Sequence, residues 1–141
     1  MGKRSFRLEI LTPEKPFFIG DAVSLTVPVS DGMIGIEALR EPLAAAVRDG
    51  KASFTLPDGE RREFSVSRGM LDVKKTGVKI LCEYASFPED IDADRERELL
   101  REAEAQLRAK KSAADLAFSK LMIGRALNNL RIKKGTGGFD G

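Results

Sequence analysis

The stretch Tyr84-Ala85-Ser86-Phe87-Pro88-Glu89-Asp90-Ile91-Asp92 divides the chain into two segments with different hydrophobic periods. Before it, apolar residues alternate with polar ones, the spacing of strands with one buried face. After it, β-branched residues nearly vanish, and the strong helix formers Ala, Leu, Glu, Arg and Lys take over. One chain therefore holds two structural regimes, and the change falls at Pro88.

Outward towards the amino terminus, residues 4 to 87 read as strands. Phe6, Leu8 and Ile10 alternate with Arg7 and Glu9, and Val23, Leu25, Val27 and Val29 repeat the pattern against Ser24 and Thr26. Ala52, Phe54 and Leu56 follow, then Phe64 and Val66, Leu71 and Val73, and Val78, Ile80 and Cys82. Turn signals separate these runs at Gly20-Asp21, Asp31-Gly32, Asp49-Gly50, Asp58-Gly59 and Thr76-Gly77. Asp-Gly suits tight hairpins because both central positions tolerate the positive φ that strand twist demands. About ten short strands at such close spacing predict an antiparallel β-sandwich or barrel.

Outward towards the carboxyl terminus, Asp90 is the expected N-cap of a helix from about 91 to 109. Asp92 and Asp94 place negative charge where the helix dipole favours it. Leu100, Ala103 and Leu107 make its apolar stripe. Ser112-Ala113-Ala114-Asp115 has the form of a capping box and opens a second helix, expected to end near Leu130 or Ile132. The short break Lys110-Lys111-Ser112 predicts an antiparallel two-helix hairpin. The second helix offers two apolar faces, one with Ala113, Leu116, Ile123, Leu127 and Leu130, the other with Ala114, Phe118, Leu121 and Met122. One suits the first helix, and the other needs the sandwich or another protein. The expected organisation is a sandwich domain over residues 1–88, a helical hairpin over 89–134 and a disordered glycine-rich tail over 135–141.

Composition removes several classes of function. The 24 basic and 22 acidic residues nearly cancel to +2, so no basic excess argues for nucleic acid or an anionic membrane surface. No apolar stretch approaches the roughly 20 residues needed to span a bilayer. The start Met1-Gly2-Lys3-Arg4 leads directly into a strand-like run without a signal-peptide apolar region, which makes intracellular residence the expectation. The 141 residues include no histidine and 1 cysteine, which excludes Ser-His-Asp and Cys-His catalysis and the usual zinc ligand sets. Cys82 sits among Val78, Ile80 and Tyr84 and reads as core. Glu89, Asp90, Asp92 and Asp94 could be imagined as a metal site, but capping explains them and no glycine supplies a calcium-loop turn. Gly135-Thr136-Gly137-Gly138 lacks the Lys-Ser/Thr and following helix of a phosphate loop. Arg131, Lys133 and Lys134 read as a basic helix end, or as a contact for an acidic partner. Neither an enzymatic centre nor a metal site is expected.

The order of short motifs then resembles a known family. Phe6-x-Leu8-Glu9-Ile10-Leu11-Thr12-Pro13-Glu14-Lys15 is similar to the opening of the ε subunits of bacterial F-type ATP synthases. Phe18-x-Gly20, Val23-x-Leu25-x-Val27-Pro28, Asp31-Gly32-Met33-Ile34-Gly35-Ile36 and Pro42-Leu43 continue in the same order. Phe64-x-Val66-Ser67-x-Gly69-Met70-Leu71-Asp72-Val73, Glu89-Asp90-Ile91-Asp92-x-x-Arg95 and Arg125-Ala126-Leu127-x-x-Leu130 complete a likeness over about residues 6 to 132.

The resemblance implies a non-catalytic rotor subunit that couples rotation of the c-subunit ring to ATP synthesis through γ. It also implies regulation of ATP hydrolysis by a hairpin that rests on the sandwich or extends along γ to meet α and β subunits. The expected location is the cytoplasmic face of the cell inner membrane, with membrane contact only through the complex. The family's c-ring surface maps onto Asp31, Met33, Arg40, Glu41 and Pro42, with Arg40 in place of a usual histidine and Met33 in place of a common acidic residue. An inhibitory surface maps onto Phe118, Lys120, Leu121, Met122, Arg125 and Arg131. Some relatives hold ATP at positions matching Ile91, Asp92, Arg95 and Arg125. Here Glu96 stands where alanine is usual and Asn129 replaces a second arginine, which leaves ATP at most a weak regulatory ligand and no required cofactor. The rival readings are a free-standing nucleotide sensor and an unrelated adaptor whose hairpin docks a partner.

Overall fold

The computed structural model describes residues 4–39, 41–109 and 113–137. Among them are ten strands: β1 (Phe6–Leu11), β2 (Pro16–Ala22), β3 (Ser24–Val29), β4 (Gly32–Glu37) and β5 (Leu43–Val47) come first. They are followed by β6 (Gly50–Thr55), β7 (Arg61–Val66), β8 (Gly69–Lys74), β9 (Gly77–Cys82) and β10 (Ala85–Ser86). A 3-10 turn at Pro88–Asp90 then precedes α1 (Ala93–Arg108) and α2 (Ala113–Gly137). The chain divides into two compact units, residues 1–86 and 87–141.

In the first unit the strand order is β10-β7-β6-β3-β5-β8-β9-β1-β2, with β4 on the other edge of β3. Strand β3 pairs with β6 through Ser24, Leu25 and Thr26 but meets β5 only at Val29↔Val47. The sheet turns there and folds over. The rings show it: β2 and β7 lie far apart in the order, yet Phe17 and Phe64 have centroids 5.5 Å apart. Phe18 stacks on Phe54 at 4.4 Å, and Phe54 on Phe64 at 5.8 Å. Leu8, Ile10, Phe64, Val66, Leu71 and Ile80 are at 0% exposure between the layers, the residues whose alternation announced a buried face.

Two expectations about the sheet are corrected. The sandwich is not wholly antiparallel, because β1 and β9 pair in parallel through Leu8↔Val78 to Leu11↔Leu81. The hairpins β1–β2 and β8–β9 lie side by side with their inner strands aligned, a choice that period-2 alternation does not encode. Gly20-Asp21 is also no turn. Both residues are inside β2, paired with Leu8 and Arg7. The turn comes earlier, where the Thr12 hydroxyl donates to the Lys15 carbonyl at 2.7 Å. A bulge between the Ile10↔Phe18 and Leu11↔Pro16 pairs sets Phe17 between the two and lets consecutive phenylalanines both meet core rings.

In the second unit, α2 runs back along α1. Ser119 Oγ donates to Gln106 Oε1 at 3.4 Å near one end, and Lys133 Nζ donates to the Pro88 carbonyl at 3.3 Å near the other. The N-cap is Asp92, not Asp90: its carboxylate accepts from the amides of Asp94 and Arg95 at 3.0 and 3.2 Å. Asp90 is used up in the 3-10 turn, which hands the chain to an extended Ile91 buried at 4% exposure. Helix α2 continues through Gly137, past the expected end and into the segment expected to be a disordered tail. Glycine is a poor helix former but not a forbidden one, and extending an existing helix adds one bond per residue. The connection Lys110-Lys111-Ser112 and the remainder of the expected tail, residues 138–141, lie outside the described residues.

Candidate functional site

The expected two-faced α2 is recast by its burial. Among its described side chains, Ser119, Ala126, Asn128, Asn129 and Ile132 are the buried ones, at 1%, 1%, 3%, 1% and 3% exposure. Leu127, grouped by its spacing with Ile123 and Leu130 on one face, is exposed, while Ile123 and Leu130 are half-buried. The side chains of Ala113, Ala114 and Leu116 lie outside the described residues. Asn and Ser were passed over because apolar periodicity weighs only apolar residues; two adjacent asparagines in a mid-helix position were the available signal, since Asn is a poor helix former that needs a reason to be there.

The proposed inhibitory residues divide accordingly. Phe118, Lys120 and Arg131 are exposed, while Leu121, Met122 and Arg125 are half-buried, so no single open stripe holds all six. Arg125 already has a partner within the structure. The nucleotide candidates are not poised as an open site either. Ile91 is buried, and the Asp92 carboxylate is committed to capping α1. Arg95 is exposed. Antiparallel register counted from Gln106 and Ser119 brings Glu96 level with Asn129, and both are buried. The two positions that depart from the nucleotide pattern thus share one level of the hairpin.

In the sandwich, Asp31 sits in the β3–β4 turn before Gly32, whose φ of 132° is the left-handed-side conformation that glycine supplies. Met33 is 54% exposed just after it. Glu41 and Pro42 are exposed beyond the opposite end of β4, and Arg40 lies outside the described residues.

Sequence reasoning also passed over the tie that ends the sandwich. Ser67, at 0% exposure, accepts from the amides of Glu83 and Tyr84 at 2.8 and 3.1 Å and donates to the Arg68 carbonyl at 3.1 Å. No group of three or more metal-ligating residues occurs among the described residues, and no described helix is long and apolar enough to cross a membrane.

The comparisons agree with this plan. The family model for the ATP synthase Delta/Epsilon chain β-sandwich domain matches residues 5–88. The ATP synthase epsilon chain of Caldanaerobacter subterraneus subsp. tengcongensis is 34% identical, covering 92% of this chain and 94% of that one. That of Clostridium novyi is 32% identical over 92% of this chain and 98% of its own. A chain in the Euglena gracilis mitochondrial ATP synthase structure shares the fold, with a TM-score of 0.68 and 17% identity over 88% of this chain and 78% of that chain. Because the likeness runs through both units, the chain belongs to the ATP synthase epsilon chain family and is a non-catalytic rotor subunit of an F-type ATP synthase.

Proposed function

We propose that residues 1–86 attach the chain to the γ subunit and the c-subunit ring, while the helical hairpin regulates ATP hydrolysis by reaching α and β subunits. The observation that supports this division of labour is the split into two compact units at Ser86, with the large buried apolar side chains concentrated in the first and buried Glu96, Asn128 and Asn129 in the second. A densely apolar sandwich suits a permanent attachment. A hairpin held by small and polar groups suits an element that leaves its packed form, because little apolar area must be re-exposed. Residues Asp31, Met33, Glu41 and Pro42, all exposed, supply the contacts towards the ring. Through that attachment the chain works at the cytoplasmic face of the membrane.

The test is capture of purified γ by the full chain and by a chain truncated after Ser86. Retention of γ by both, with a cooperative unfolding transition in the truncated chain, is the expected result. Loss of γ binding on truncation would assign the attachment to the hairpin instead.

A further inference from the structure

Glu96 is 9% exposed, and its Oε2 atom is fully buried with no hydrogen-bond partner among the described residues. It stands on the fourth residue of α1, one turn beyond the Asp92 cap, and in register with buried Asn129 of α2. A carboxylate oxygen removed from water without a donor opposes the state that buries it. The favourable interaction between Glu96 and the amino end of α1 does not offset this, since it persists whenever α1 is formed, packed or not.

The rest of the hairpin interior is ill-equipped to compensate. Among the described residues, its buried apolar side chains along the helices are Ala103, Ala126 and Ile132, beside Ser119, Asn128 and Asn129. The sandwich core instead buries Leu8, Ile10, Phe54, Phe64, Leu71 and Ile80. Burial free energy scales with apolar area, so alanines contribute far less than phenylalanines and leucines.

We infer that Glu96 is a built-in destabiliser of the packed hairpin, a carboxylate that keeps α1 and α2 poised to part. Parting returns Glu96 to water while the sandwich stays intact. A residue of the wrong polarity at a buried position thus becomes the spring of the switch. The bearing of this device on hydrolysis rests on the regulatory function proposed above, whereas its effect on the packed hairpin can be read in the free chain.

Native-state amide exchange on the full-length chain tests it, with Glu96→Gln and Glu96→Ala as variants and Glu98→Gln, an exposed neighbour on α1, as the control. Both Glu96 variants should slow exchange of the central α2 amides by about tenfold, since relief of a buried unpartnered polar atom is of that order. Glu98→Gln should leave α2 unchanged, and the Leu8 and Phe64 amides should report an unaltered sandwich in every variant. Faster or unchanged α2 exchange in either Glu96 variant overturns the inference. Slower exchange with no change in hydrolysis by the assembled complex would uphold it and reject the regulatory reading instead.

Discussion

A Cβ on Gly69 would stand 1.9 Å from the carbonyl oxygen of Leu81, far inside van der Waals contact. The clash is with backbone on the neighbouring strand, and Leu81 and Cys82 are held there by the Met70↔Leu81 and Gly69↔Cys82 pairs. No rotamer relieves it. Relief requires β8 and β9 to separate just where Ser67 ties the end of the sandwich to Glu83 and Tyr84. Gly69→Ala is expected to destabilise the chain by about 3 kcal/mol or more, measured by urea unfolding, because overpacking against immobile atoms exceeds the usual cost of an added methyl. A loss below about 0.5 kcal/mol would mean that the strands part easily there.

Cys82 is the adjoining case in which burial controls chemistry. Burial pushes its thiol from 9.0 up to about 11, and the Glu83 charge adds to the rise. The Sγ atom is 3.6 Å from the Leu11 carbonyl, which accepts its weak hydrogen bond. Since the folded pKa lies above the unfolded one, the resulting stability is fully present below about 9 and is lost as pH rises towards 11. Alkylation of the native chain near pH 8 should be far slower than in urea, because the thiolate is the nucleophile. Equal rates in the two conditions would show that Cys82 is neither buried nor suppressed.

Much of this was legible in the sequence, and the reasons for the rest are specific. Alternation at Phe6, Leu8 and Ile10, and again at Leu25 and Val27, identifies buried strand faces directly. It carries no information about direction or partner, so the parallel β1–β9 pair and the inclusion of Gly20-Asp21 in β2 could not be read from it. Turn residues report conformational permission rather than use. In the hairpin the failure had another cause. Apolar periodicity found two faces on α2, but among the described side chains the buried set is Ser119, Ala126, Asn128, Asn129 and Ile132, a half-polar set with no apolar stripe to count. The N-cap moved from Asp90 to Asp92 because four acidic residues within six positions offered competing caps, and only the backbone path chose among them.

Nucleotide binding is expected to be weak or absent. An ATP molecule in the hairpin would need the Asp92 carboxylate, which accepts from two amides, and would bring phosphates towards buried Glu96. Calorimetric titration of ATP into the free chain should give no saturable heat in the low-micromolar range. Saturable binding abolished by Arg125→Ala would reverse this conclusion.

The regulatory reading makes its strongest claim about the whole complex. Helix α1 has 16 residues and α2 has 25. Laid end to end they would reach about 60 Å at the α-helical rise, enough to climb from a stalk base towards a catalytic head. The exposed residues for such a contact are Phe118, Lys120 and Arg131, an aromatic anchor with two cations on the same helix. Deleting residues 110–141 is therefore expected to raise ATP hydrolysis by the assembled complex while leaving assembly intact. Lys120→Ala with Arg131→Ala should release part of the inhibition, and the release should be larger at low salt because exposed charge pairs are screened. Arg125 is unsuitable for that comparison, since it is half-buried and already engaged in the packed form, so its removal would disturb the hairpin as well as the contact. If hydrolysis is unchanged by the deletion across nucleotide and salt conditions, the hairpin is an appendage of the rotor and exerts no brake.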